Sequence, residues 1–210
     1  MDATNILTDC RIVPVVVIED HTHAVELAAT LLEAGIKAIE VTLRTPTALD
    51  AIRLIADNVP GILVGAGSVR HPDHFKEIAS RGASFAVSPG ASDRLIDAAE
   101  KAHMPFVPGG SSATNIINLL EQGYQLQKFF PAELSGGTAM LKALSAPLPE
   151  VRFFPTGGIT AELAPTYLKL DCVSCIGGTW FVSPDLIMNQ EFQRIGELAE
   201  DAVRISQSRT

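Results

Sequence analysis

The sequence predicts a single (β/α)8 TIM barrel, and three observations predict it. Short β-branched or aromatic runs recur eight times along the 210 residues. A longer stretch separates each from the next, and several of these are amphipathic. The runs are centred roughly 20–26 residues apart, the length of one strand, one helix and two loops. They fall at 12–18, 38–43, 62–65, 84–87, 105–108, 125–130, 152–155 and 172–177. Among the intervening stretches, 23–32 places Val25, Ala28, Ala29 and Leu32 on one helical face and stops at Gly35. Stretch 48–55 does the same with Leu49, Ile52 and Ile55, and 92–102 and 115–120 follow, the last stopping at Gly123. Strands alternating with helices are parallel and joined by crossovers. Eight such units close into a barrel. An open doubly wound sheet is the competing architecture, but no glycine-rich dinucleotide fingerprint follows Val17. No linker or low-complexity segment divides the chain. The expectation is one domain over residues 1–210, with 1–9 and 205–210 as terminal segments.

Composition narrows the function classes. The chain is 47% hydrophobic with a formal net charge of −8, enough apolar mass for one core. It carries no basic run, which argues against a nucleic-acid partner. Three cysteines, an odd number, give no disulfide framework. The first residues are too polar and acidic for a signal peptide, and no apolar run has the length of a membrane span. A cytoplasmic protein without membrane attachment is expected.

Catalysis in such a barrel sits at the C-terminal ends of the strands, and one lysine stands out there. Of the six lysines, Lys128 alone lies at the end of an apolar strand run, just before a proline. Burial disfavours an ammonium ion, and a free amine attacks ketones to form a Schiff base. Lys37 precedes the second strand at the wrong end, and Lys76, Lys101, Lys142 and Lys169 fall on helices or their ends. The period of a strand puts Leu126, Lys128 and Phe130 on one face. The same period puts Glu40, Thr42 and Arg44 on one face of strand two, with Val41 and Leu43 toward the helices. A carboxylate below an arginine suits an acid/base group under an anion clamp. An internal ion pair that merely fills the barrel is the competing reading, although a buried pair is a poor stabiliser.

The other strand ends are rich in Gly, Pro and hydroxyl residues. Strand three ends in Gly65-Ala66-Gly67-Ser68, strand four in Ser88-Pro89-Gly90 and strand five in Pro108-Gly109-Gly110-Ser111-Ser112. Strands seven and eight end in Thr156-Gly157-Gly158 and Gly177-Gly178-Thr179. Barrel phosphate sites often use these last two loops. Tight turn chemistry explains each mouth singly; together they suggest a shaped pocket. Two further patterns are weaker. His21-x-His23 has metal-like spacing but is explained by a helix start at Asp20–Thr22. The thiols of Cys172-x-x-Cys175 fall on opposite faces of a strand, and one such pair cannot complete a zinc site.

The motifs EVTLRT (40–45), VGAGSV (64–69), FAVSPG (85–90), KFFPAE (128–133), FFPTGGI (153–159) and CIGGTW (175–180) together resemble the 2-keto-3-deoxy-6-phosphogluconate (KDPG) and 4-hydroxy-2-oxoglutarate (KHG) aldolase family. The likeness runs in order from about residue 12 to 205. It implies a metal-free class I aldolase, a carbon–carbon lyase of carbohydrate metabolism in the Entner-Doudoroff pathway, usually a homotrimer. It implies no cofactor beyond a covalent imine on Lys128, and a small 2-keto acid as partner. By the same resemblance Lys128 forms the imine and Glu40 is the general acid/base. Arg44 and Ser68 hold the pyruvate carboxylate, and Pro89, Phe130 and Thr156 line the pocket. Gly157, Gly158, Gly177, Gly178 and Thr179 resemble the phosphate site. Ser68 stands where the family often has Thr, Thr179 where it often has Ser, and Ser112 where it often has Thr.

Three alternatives stay open on the residues. One is an imine-independent sugar-phosphate epimerase or decarboxylase on the same barrel. Another is an aldolase of the 6-phosphogalactonate type, since the C4 configuration is set by pocket shape. The third is a non-catalytic binder of phosphorylated metabolites.

Overall fold

The computed structural model describes Leu7 and residues 10–207. The remaining parts of the expected terminal segments, 1–6, 8–9 and 208–210, lie outside the described residues. Eight strands alternate with helices: β1 (Ile12–Val16), α1 (Ala24–Glu33), β2 (Ala38–Thr42), α2 (Ala48–Asn58), β3 (Leu63–Gly67), α3 (Asp73–Ser80), β4 (Phe85–Val87) and α4 (Asp93–Lys101). The second half is β5 (Phe106–Val107), α5 (Ala113–Glu121), β6 (Leu126–Phe129), α6 (Gly137–Ser145), β7 (Arg152–Pro155), α7 (Ala164–Leu168), β8 (Ile176–Gly178), α8 (Pro184–Met188) and α9 (Phe192–Gln207). Residues 205–207 are the last part of α9.

All strand pairs are parallel. One ladder runs β5-β4-β3-β2-β1-β8 and a second joins β6 to β7. Isolated bridges close both seams: Gly109 to Lys128 on one side, Phe153 to Val173 and Thr156 to Gly177 on the other. The circle is therefore complete, and the chain is a (β/α)8 barrel. The seam at Lys128 is held by its own backbone, whose N–H donates to Pro108 O at 2.8 Å while its carbonyl accepts from Gly110 N at 3.0 Å.

The two strand faces bury against different partners, as a period of two demands. Ile39, Val41, Val64, Ala66, Ala86, Phe129, Phe153 and Ile176 join the layer between sheet and helices. Val13, Ala38, Phe85, Val87, Val107, Leu126, Phe154 and Cys175 form a smaller cluster inside the barrel, joined by Leu7. Cys172 and Cys175 thus go to opposite faces, as the spacing requires. β8 begins later than expected, at Ile176, because Val173 bridges only to β7 and pairing with β1 starts at Ile12–Ile176. β3 runs further than expected, to Gly67, because its glycines serve close packing within the strand. A β-carbon at Gly65 would overlap the Phe85 ring.

Some helices start where the sequence supplies a capping side chain. Ser92 Oγ accepts from Leu95 N and Ser112 Oγ from Asn115 N. Ser112 therefore has a helix-capping task that its hydroxyl performs. Asp20 caps the short 3-10 turn His21–His23 by accepting from Thr22 N, so the His pair sits in a helix start.

Candidate active site

Polar side chains inside the barrel collect above the apolar cluster. Glu40 on β2 and Lys128 on β6 both point inward, and Lys128 Nζ lies 2.9 Å from Glu40 Oε1. Their side chains are 0% and 5% exposed, so water screens the pair little. Glu40 Oε2 is buried and has no hydrogen-bond partner. One carboxylate oxygen is thus paired with the amine and the other is left without a protein partner. The register explains the meeting. Glu40 pairs with Gly65 across β2 and β3, and a β-carbon at Gly67 would overlap Glu40 Oε1. The expected Gly-Ala-Gly mouth therefore does a specific job: it clears space for the carboxylate.

Aromatic rings enclose the amine. Lys128 Nζ is 5.6 Å from the centroid of Phe130 and 5.9 Å from that of Phe154. Phe154 is a site residue that the motif reading missed. Its signal was available: it lies two residues before Thr156 on one strand face and pairs directly with Lys128. Thr156 is buried with its Oγ1 unpartnered, and a β-carbon at Gly177 would overlap that hydroxyl. Thr42, also buried, donates from Oγ1 to Val16 O at 2.9 Å, so its hydroxyl serves the barrel wall.

At the rim, Arg44 Nε donates to Ser68 Oγ at 3.0 Å. Arg44 is exposed and Ser68 half-buried, so this contact lies nearer solvent than the Lys128–Glu40 pair. Ser68 adopts a left-handed φ of 57°, a conformation few non-glycine residues adopt. Pro89 is exposed on the β4 loop, and Gly109 lacks a side chain where Pro89 backbone approaches. Gly157 and Gly158 both have left-handed φ, 101° and 80°. The Thr156–Gly177 bridge sets this pair beside Gly177-Gly178. A side chain on Gly178 would overlap the Trp180 ring, so packing also limits Gly177 and Gly178. Thr179 is exposed. Among the described residues no cluster of three or more His, Cys, Asp or Glu could hold a metal ion.

Residues 3–198 match the sequence profile described as KDPG and KHG aldolase. The KHG/KDPG aldolase of Escherichia coli (strain K12) is 43% identical over 201 residues, 96% of this chain and 94% of that protein. This chain belongs to the KDPG and KHG aldolase family. Its fold matches the family's solved members. The KDPG aldolase of Legionella pneumophila, captured with pyruvate as a covalent carbinolamine at low pH, has a TM-score of 0.92 at 40% identity, covering 95% of this chain and 97% of that one. The enzyme of Zymomonas mobilis ZM4 with 3-phosphoglycerate has a TM-score of 0.89 at 38% identity, covering 96% and 94%. A buried ion pair is a weak source of stability, since well-packed apolar side chains often serve a core as well.

Proposed function

We propose that this protein is a class I aldolase whose imine forms on Lys128. It reversibly cleaves KDPG to pyruvate and glyceraldehyde 3-phosphate, and also cleaves 4-hydroxy-2-oxoglutarate to pyruvate and glyoxylate. The observation that carries the reading is the buried Lys128–Glu40 pair at 2.9 Å beneath the barrel mouth. The carbinolamine recorded for the Legionella relative is the intermediate this lysine would form.

Glu40 takes a proton from the Lys128 ammonium, the freed amine attacks C2 of the keto acid, and Glu40 returns that proton to the carbinolamine hydroxyl, so that water leaves and an iminium ion remains. The C3–C4 bond breaks as Glu40, directly or through a water, takes the proton of the C4 hydroxyl. The bonding pair moves to C3 and into the iminium, giving an enamine and releasing the aldehyde. Glu40 then returns its proton to C3, and hydrolysis frees pyruvate and the amine. The iminium is the electron sink, so the reaction requires no metal or other cofactor. Arg44 and Ser68 hold the substrate carboxylate; Pro89, Phe130 and Thr156 shape the pocket. Gly157, Gly158, Gly177, Gly178 and Thr179 receive the phosphate. The left-handed turn at Gly157-Gly158 and the 3-phosphoglycerate present with the Zymomonas relative support that assignment.

The working form is a cytoplasmic homotrimer composed of one barrel per chain. Leu134, 90% exposed on one chain, and the exposed Met140 nearby support association, since large apolar side chains favour cover. Sedimentation velocity tests it, and a monomer would remove the trimer. The test of the catalytic reading is borohydride reduction in the presence of pyruvate, followed by peptide mapping. A reduced pyruvyl adduct on Lys128, absent from Lys128→Ala, is expected. No adduct on any lysine of the folded protein would overturn the reading.

A further inference from the structure

Glu133, the glutamate of the KFFPAE motif, takes part in none of these steps, yet it is held from several directions. Its backbone N–H donates to Gly157 O at 3.1 Å, and the preceding Ala132 N–H donates to Thr156 O at 2.8 Å. These two bonds lay the loop after β6 along the turn after β7. Its side chain fills the space over the second glycine: a β-carbon on Gly158 would stand 2.8 Å from Glu133 Cβ. The carboxylate then accepts a hydrogen bond from the hydroxyl of Tyr167 on α7. Tyr167 is fully buried, and a buried hydroxyl without a partner is costly. Burial first, then the bond to Glu133, pushes the phenol well above its ordinary range, so it remains a donor at every pH of interest. Gly137 leaves room for the contact, since a side chain there would approach both Glu133 Oε1, at 3.1 Å, and Tyr167 Oη, at 3.3 Å.

We propose that Tyr167 and Glu133 are positioning residues for the substrate's phosphate, bracing the Gly157-Gly158 turn from behind so that it is preorganised before the ligand arrives. The inference rests on the assignment of that turn to phosphate made above. Neither side chain touches substrate in this scheme; both act through the turn. The brace lowers the ordering cost of binding and leaves the bond-breaking step alone. Its signature is therefore a change in KM without a change in kcat, confined to phosphorylated substrate.

The test compares wild type with Tyr167→Phe, Glu133→Ala and Glu133→Gln on KDPG and on 4-hydroxy-2-oxoglutarate. Inhibition by inorganic phosphate and thermal midpoints are measured alongside. Glu133 is exposed, so its variants are expected to fold even where the buried phenol tolerates no change. Tyr167→Phe and Glu133→Ala are expected to raise KM for KDPG about tenfold and to weaken phosphate inhibition equally. Their kcat and their KM for the unphosphorylated substrate should hold. Glu133→Gln, whose amide oxygen still accepts the phenol's hydrogen bond, should recover most of the loss. A lowered midpoint with unchanged KM for KDPG, or equal effects on both substrates, would overturn the inference. A wild type that neither prefers the phosphorylated substrate nor responds to phosphate would overturn the phosphate assignment itself, and the brace with it.

Discussion

Lys128 Nζ sits 2.9 Å from Glu40 Oε1 although 88 positions separate the residues in sequence. The barrel brings them together from opposite sides of its interior, with both side chains almost wholly removed from water. Taking two ions out of water costs more than their attraction commonly returns, and the second carboxylate oxygen has no protein partner. The arrangement is better suited to moving protons than to holding the fold. Glu40→Gln should therefore keep the amine and still allow borohydride trapping with pyruvate. Its turnover should fall by about 10²–10⁴-fold, the usual weight of a positioned acid/base group. Stopped-flow assay of both substrates checks this, and wild-type cleavage by the variant would refute the role.

Gly67 gives a second test of the same geometry, because a side chain there acts on Glu40. A β-carbon there meets Glu40 Oε1 and its neighbouring carbons, and the carboxylate is pinned on the other side by Lys128. Gly67→Ala is expected to lower stability by about 1–3 kcal/mol, the cost of overpacking a tight interior. It should also cut turnover well beyond the loss of folded protein. Urea melts and active-site titration separate the two effects. A variant with normal turnover per folded molecule would show that Glu40 tolerates displacement.

Arg44 and Ser68 form the rim contact, Nε to Oγ at 3.0 Å. A guanidinium held by a neighbouring hydroxyl is oriented for a planar carboxylate. Arg44→Ala should raise KM for both keto acids by about ten- to hundredfold, the worth of a charge-assisted hydrogen bond. Ser68→Ala should do so less, because it loosens the clamp without removing the charge. Initial-rate kinetics with the two substrates check the order; a larger effect from Ser68→Ala would reverse the assignment.

Much of this was legible in the sequence because it depends on parity. The period of two placed Glu40 and Thr42 on the interior face of β2 and Lys128 with Leu126 on that of β6, and the register agrees. Other features depend on which strands become neighbours, and one sequence does not encode that locally. Gly67 resembles a turn glycine until Glu40 is known to lie against it. The Tyr167–Glu133 contact crosses two elements 34 residues apart. Tyr167 had no legible partner, since α7 is only five residues long and offers too little periodicity. For the same reason the α3 face, built on Phe75 and Ile78 alone, is weaker as a pattern than the α2 face.

Cys175 carries a prediction about pH. It lies inside the barrel, and burial foremost, with smaller effects of Cys10 and Glu40, pushes its thiol well above the ordinary range. Arg11 opposes this weakly. In the unfolded chain a thiol ionises near pH 8.5, roughly, while in the native barrel Cys175 keeps its proton. Above that pH the native state binds more protons than the unfolded state, so stability falls as pH rises. Below it the two states bind equally and this group contributes no slope. The urea midpoint of wild type should therefore drop between about pH 7.5 and pH 9.5. Cys175→Ala should start lower, because a small cavity replaces the sulfur, and fall less over the same interval. Equal slopes in the two proteins would show that the thiol ionises as readily in the barrel as in the unfolded chain.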